Sequence, residues 1–169
     1  DEELQGHMNL TSANSINVAR FLPQTFYYFN AYAQAKKLGK ADNLTICVPS
    51  GNFGNITAGL FAQRMGLPIM NFIAANNAND IFYNYLLSGI YSPKASIQTI
   101  ANAMDVGDPS NFARILDLYK SSHAEICNHI SGATYSNDEI AATMKKCYEQ
   151  TGYVLDPHGA CGYQALKDN

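Results

Sequence analysis

The chain has 169 residues, 47% of them hydrophobic and 15% charged, with a net charge of −3. That length suits one domain with a sizeable core, and the apolar balance points to strands buried on both faces. The acidic balance argues against a nucleic-acid partner, no run reaches the ~18 apolar residues of a membrane helix, and the Asp-Glu-Glu start carries no signal-peptide pattern.

Residues 15–38 carry apolar side chains on nearly every face, among them Ile16, Phe21, Phe26, Tyr27, Phe29 and Leu38. This predicts one long, mostly buried helix. Pro23 should kink it or end its first turns, and Gly39 should close it. The run 44–49 predicts a strand. The spacing of Ile56, Leu60, Phe61 and Met65 predicts a helix over 55–65, stopped by Gly66. Residues 69–75 predict a second strand, which completes a βαβ unit with parallel strands. Asn79 is expected to cap a short helix through Ile81, Phe82, Tyr85 and Leu86 that Gly89 ends. Asp108-Pro109 predicts a helix start, with the helix running to about residue 121. Ser136-x-x-Glu139 is a capping box for a helix reaching about residue 150, ended by Gly152. Asp156-Pro157 opens a last helix toward Leu166.

Two strands are clear, with short extended pieces expected near 133–135 and 153–155. Two parallel strands cannot bury themselves. Residues 1–169 therefore read as one incomplete domain of a longer α/β protein, a partial doubly wound parallel sheet with flanking helices. Cys47, Cys127, Cys147 and Cys161 form no Cys-x-x-Cys pair, and the expectation is reduced, buried thiols in a cytoplasmic protein.

The hexapeptide Ser50-Gly51-Asn52-Phe53-Gly54-Asn55 joins the first strand to its helix. Its glycines allow close backbone approach and positive φ. The free N–H groups of the new helix favour an anion there, and a phosphate is the natural occupant. The turn has no lysine, so it is not a P-loop, and it lacks the spacing of dinucleotide folds. An ordinary Gly/Asn turn is the alternative. The segment from Ser12 to Arg20 offers a second anion site, with Ser15, Asn17 and Arg20 supplying hydroxyl, amide and guanidinium donors. Its alternative is a plain N-cap beside a solvated arginine.

Asn76-Asn77-Ala-Asn79-Asp80 lies where α/β folds place ligands, although helix capping by Asn79 accounts for most of it. Asp105 and Asp108 have no third ligand in view; Asp108 reads better as a helix cap, and the segment as structural or loop-ordering. His123, Cys127 and His129 lack a fourth ligand, so no metal is expected. His158 is either a capped core residue or a contact residue.

Four segments taken together, residues 12–20, 50–55, 102–112 and 156–160, resemble threonine synthases of the branch typical of many bacteria and fungi. The likeness covers essentially the whole chain, in the same order. The glycine-asparagine loop alone is shared with other pyridoxal-phosphate enzymes of the tryptophan synthase β fold, fold type II. The 12–20 and 102–112 segments are more specific. The resemblance implies conversion of O-phospho-L-homoserine and water to L-threonine and phosphate, with pyridoxal phosphate as cofactor. It implies that Ser50, Gly51, Asn52, Phe53, Gly54 and Asn55 bind the cofactor phosphate. By the same likeness, Ser15, Asn17 and Arg20 bind the substrate phosphate.

The departure is the lysine that holds the cofactor covalently. In the family it lies in an upstream Ser-x-Lys-Asp motif, and none of Lys36, Lys37, Lys40, Lys94, Lys120, Lys145, Lys146 and Lys167 has that context. The expectation is therefore the central part of an enzyme, with no catalytic residue in this stretch and no activity alone. The family branch implies a monomeric parent, and exposed strand edges imply self-association of the piece. Other readings are a serine/threonine dehydratase or cysteine synthase relative, which would lack the site at Arg20, and a non-catalytic phosphate-binding module.

Overall fold

The computed structural model describes residues 2–10 and 14–169; Ser12, at the head of the second anion segment, lies outside the described residues. In chain order the helices and strands are α1 (Glu2–His7), α2 (Val18–Phe21), α3 (Thr25–Lys37), β1 (Thr45–Pro49), α4 (Gly54–Arg64), β2 (Asn71–Asn76), α5 (Ile81–Ser88), α6 (Phe112–Leu118), α7 (His123–His129), β3 (Ile130–Thr134), α8 (Asn137–Thr151) and α9 (Pro157–Asp168).

The three strands form one sheet in the order β1-β2-β3. Both pairings are parallel, with Ile46 opposite Phe72 and Phe72 opposite Ile130. The central strand shows why the sheet needs two helical layers. Side chains alternate faces along a strand. Phe72 and Ala74 join a core with Ile56, Leu60, Phe82 and Ile115 from α4, α5 and α6. Ile73 and Ala75 join a second core with Ile140, Ala160, Cys161 and Ala165 from α8 and α9. This is the α/β, doubly wound arrangement expected from the apolar strands.

Several boundaries follow from local chemistry. Gly39, Gly66, Gly89 and Gly152 all have positive φ, between 66° and 104°, and each ends or follows a helix as expected. Ser136 and Glu139 form the reciprocal capping box of α8. The Asp156 side chain accepts from the His158 and Gly159 amides at the start of α9.

Other expectations are corrected. The single long helix over 15–38 is two helices separated by a 3₁₀ turn at Leu22–Gln24, because Pro23 has no N–H for the helical ladder. It is also not mostly buried. Phe21, Thr25 and Tyr28 are buried, whereas Phe26 is 69% and Tyr27 74% exposed. The buried side faces α4. Phe21 meets Phe61 edge-on at 5.3 Å, and a Cβ at Gly59 would lie 2.6 Å from the Tyr28 ring.

The short extended piece expected near 133–135 is the end of a third strand, whose start went unseen because Ser131 and Gly132 interrupt its apolar run. The extended piece expected at 153–155 is not a strand. Asn79 does not cap α5; Asp80 occupies that position without a side-chain cap bond. Asp108 does not cap a helix either. It accepts from the Tyr91 hydroxyl at 2.8 Å, and α6 begins after Asn111. All four cysteines are free thiols. Cys147 and Cys161 are buried as expected, Cys47 is half-buried and Cys127 is exposed.

Candidate functional site

Ser50 to Asn55 form the turn from the C-terminal end of β1 into α4. Phe53 sits in the left-handed region at φ 61° and makes no side-chain cap to the helix. A non-glycine residue holds that conformation only where packing over-determines it. Here the Phe53 ring is 2% exposed and lies 4.6 Å from Phe82. The side chain thus anchors the turn in the core. Among the described residues, no acceptor engages the Gly54 or Asn55 amide, while the Ile56 amide donates to Asn55 Oδ1. Two N–H groups at the positive end of an eleven-residue helix are therefore left for an anion.

The asparagines serve the turn rather than project from it. Asn55 Nδ2 donates to the Pro49 carbonyl at 2.8 Å. Asn52 Oδ1 accepts from the Ser110 amide and hydroxyl, and Asn111 Nδ2 donates to the Asn52 carbonyl. Asn52 Nδ2 donates to Ser15 Oγ at 2.5 Å. Ser50 is fully buried, and its hydroxyl donates to the Val48 carbonyl. Glycine is required sterically at 51, and at 54 any side chain would press on Ser15. A Cβ at Gly51 would lie 2.6 Å from Met104 Cα, and one at Gly54 would lie 3.0 Å from Ser15 Cβ.

Ser15, Gln24, Gly51, Gly54, Asn55, Met104 and His158 help to line one cleft of about 330 Å³. The structure therefore brings Ser15 to the 50–55 turn, although they are far apart in sequence. Asn17, the N-cap of α2, and Arg20 within it are not among the residues lining this cleft. Asn17 Oδ1 caps α2 by accepting from the Ala19 amide, and Arg20 is exposed. α2 is a single turn, so it carries little of the dipole expected from a long helix.

Arg114 was not a sequence-level candidate. Its guanidinium donates to the Ile16 carbonyl and to Asn111 Oδ1, and it lies 5.0 Å from the Phe21 ring centroid. It ties the Ser15 segment to α6. Its position after the Pro-Ser-Asn-Phe run was the available signal.

The Asn76–Asp80 and Asn102–Asn111 segments meet in one buried network. Asp105 Oδ1 accepts from Asn77 Nδ2 at 2.8 Å, Thr99 Oγ1 at 2.7 Å and Asn79 Nδ2 at 3.2 Å. Its Oδ2 accepts from the Thr99 amide. Asn79 also bonds both the amide and the carbonyl of Ile97. Asp105 is thus loop-ordering, as expected, and the asparagine density has an architectural cause. It holds the 97–105 strap against the ends of the strands and carries Met104 onto Gly51.

Cys127 Sγ lies 3.3 Å from His123 Nε2, as their spacing predicts, while the His129 ring nitrogen contacts the Glu125 carbonyl. Partial desolvation of the otherwise exposed Cys127 raises its thiol, which opposes a thiolate nucleophile. Among the described residues no group of three or more candidate ligands surrounds a metal-sized site, and no helix is long and apolar enough to cross a membrane. Among the described residues, no lysine lines the cleft.

The chain is similar to known proteins along nearly its whole length. A threonine synthase of Haemophilus influenzae is 48% identical over 168 residues, which is 99% of this chain and 39% of that protein. The crystal structure of Escherichia coli threonine synthase matches with a TM-score of 0.87 at 42% identity, over 99% of this chain and 39% of that one. The pyridoxal-phosphate-bound threonine synthase of Brucella melitensis matches with a TM-score of 0.89 at 36% identity, over 100% of this chain and 41% of that one. The chain thus spans about two fifths of the relatives it matches. The sequence profile described as pyridoxal-phosphate dependent enzyme matches residues 5–169, and the chain belongs to that family.

Proposed function

We propose that this chain is the central part of the cofactor-binding domain of a longer threonine synthase, which converts O-phospho-L-homoserine and water to L-threonine and phosphate with pyridoxal phosphate. The observation that carries the reading is the Asn52–Ser15 hydrogen bond. It joins the turn assigned to the cofactor phosphate with the segment assigned to the substrate phosphate. Ser50, Gly51, Asn52, Phe53, Gly54 and Asn55 would hold the first phosphate, and Ser15, Asn17 and Arg20 the second.

The residues present fit a phosphate in three ways. The Gly54 and Asn55 amides open the first turn of α4 without a side-chain cap. Glycine at 51 and 54 permits backbone approach where any Cβ would crowd the strap or Ser15. Among the described residues, no carboxylate lines the cleft. Electron withdrawal from the amino-acid substrate is the chemistry the cofactor supplies when bound. The residues of this chain bind and orient. The turn fixes the phosphate end of the cofactor, and Ser15 carries the substrate segment alongside it. Among the described residues no lysine lines this cleft, so no catalytic residue is assigned within it, and on this reading the chain alone is inactive.

The longer enzyme is a cytoplasmic monomer in this proposal. The chain alone self-associates through its sheet edges. The structural likenesses to serine racemases and threonine deaminases, at 16–23% identity, concern the fold alone.

The test is steady-state kinetics beside cofactor titration in the longer enzyme. Arg20→Ala should raise KM for O-phosphohomoserine roughly tenfold to a hundredfold, through loss of a ~1.5–3 kcal/mol charged hydrogen bond. Gly54→Leu should chiefly lower cofactor affinity. The reverse pattern would invert the two assignments.

A further inference from the structure

His158 lies at the start of α9 with its ring held at both nitrogens. Nε2 is 3.2 Å from the Ala103 nitrogen, which carries the hydrogen of that bond. A nitrogen that accepts cannot itself be protonated, so the ring proton sits on Nδ1. Nδ1 lies 3.0 Å from Asp156 Oδ1, a carboxylate already fixed by the His158 and Gly159 amides. Those bonds, that from Gly159 first, together with the histidine, hold the Asp156 carboxyl below its usual range against the opposing effect of burial. The acceptor that selects the tautomer therefore stays ionised.

The partner of Nε2 matters because of where Ala103 sits. Ala103 and Met104 form the wall against which Gly51 packs, so closely that a Cβ at 51 would meet Met104 Cα at 2.6 Å and the Ala103 carbonyl oxygen at 2.9 Å. Asp105 pins this strap on its far side. On the side of α9, the Ala103 amide donates to His158. A wall in contact with Gly51 cannot shift without moving the turn whose amides open α4.

We propose that His158 is a positioning residue of the phosphate cleft: its neutral Nδ1–H form, set by Asp156, accepts the Ala103 N–H and locks the Ala103–Met104 wall against Gly51. The effect on anion affinity rests on the phosphate reading of the 50–55 turn; the tautomer and the bond do not. Removing the acceptor unlocks the wall and loosens the turn. A glutamine at 158 keeps a neutral acceptor near the Nε2 position, whereas a phenylalanine keeps the ring volume and loses it.

The test uses this chain in solution, with inorganic phosphate and pyridoxal phosphate as probes. Imidazole ¹⁵N shifts report the tautomer directly, and the Gly54 and Asn55 amide shifts report binding at the turn. The expected results are the Nδ1–H tautomer at His158, phosphate affinity about five- to tenfold weaker in His158→Phe, and affinity within about threefold of the unsubstituted chain in His158→Gln. The Nε2–H tautomer overturns the proposal. So does His158→Gln binding as weakly as His158→Phe, or His158→Phe binding as tightly as the unsubstituted chain. Absence of any Gly54 or Asn55 shift in the unsubstituted chain overturns instead the phosphate reading, and with it the effect on affinity, while the ¹⁵N shifts still decide the tautomer.

Discussion

Asn52 Nδ2 and Ser15 Oγ, 37 positions apart in sequence, lie 2.5 Å from each other. That bond, with the Ser110 and Asn111 bonds to the same asparagine, makes Asn52 the junction of three segments that the sequence separates. Asn52→Ala should therefore loosen the turn without emptying the core. The expected loss is about 1–3 kcal/mol in urea unfolding, since it strands several partners, with phosphate affinity falling in parallel. Unchanged stability and affinity would remove Asn52 from this role.

Gly51→Ala should be more damaging than its size suggests. The new methyl meets the backbone of Met104 and Ala103 rather than a side chain that can swing away. Overpacking of this kind costs about 1–3 kcal/mol. The thermal midpoint should fall, and the Met104 and Gly51 amide resonances should move together.

Asp105→Asn tests the strap. The carboxylate accepts from Asn77, Asn79 and Thr99. The isosteric amide must turn an N–H₂ toward at least one donor. A loss of about 1–3 kcal/mol is expected, with exchange of the 97–104 amides rising more than that of β2.

Much of this architecture is legible in the sequence because its signals are local. The capping box at Ser136 and Glu139, the Asp156-Pro157 start and the four closing glycines act within a turn of themselves. The third strand was harder to see, because Ser131 and Gly132 dilute its apolar pattern and β2 supplies its register. The roles of Asn79 and Asp108 were misread for a related reason. Both residues are good caps by type, and both are recruited by distant partners, Ile97 and Tyr91. Of the candidate site, the 50–55 turn is readable as a strand-to-helix motif. The contributions of Arg114 and His158 depend on contacts that no spacing encodes. The exposure of Phe26 and Tyr27 was invisible for the opposite reason, since an apolar run does not reveal whether a covering layer is present.

The pH dependence of stability has a definite sign. Glu139 is held below its ordinary value chiefly by the Ser136 amide and hydroxyl, and Asp156 chiefly by the Gly159 amide. A depressed native value means that the stabilisation is present above the ordinary carboxylate value and is lost as pH falls through the native one. Asp156→Asn preserves a good cap without the titration. It should be less stable than the parent near neutrality and should converge with it in acid, as read by urea midpoints across pH.

Treatment with pyridoxal phosphate followed by borohydride should label no single lysine. The Lys94 ammonium is paired with Asp80 at 2.5 Å, and, among the described residues, the cleft is lined by no lysine. A mass map with scattered, substoichiometric adducts is the expected result. One stoichiometric adduct would assign a covalent role that the cleft does not support.

The central claim is that the amides opening α4 are a phosphate seat. It is tested most directly by titrating the chain with pyridoxal phosphate, pyridoxal and inorganic phosphate while following the Gly54 and Asn55 amide resonances. Pyridoxal phosphate and inorganic phosphate should shift both amides and compete with one another, and pyridoxal should leave them in place. Equal responses to pyridoxal and pyridoxal phosphate, or shifts confined to residues away from the 50–55 turn, would contradict it.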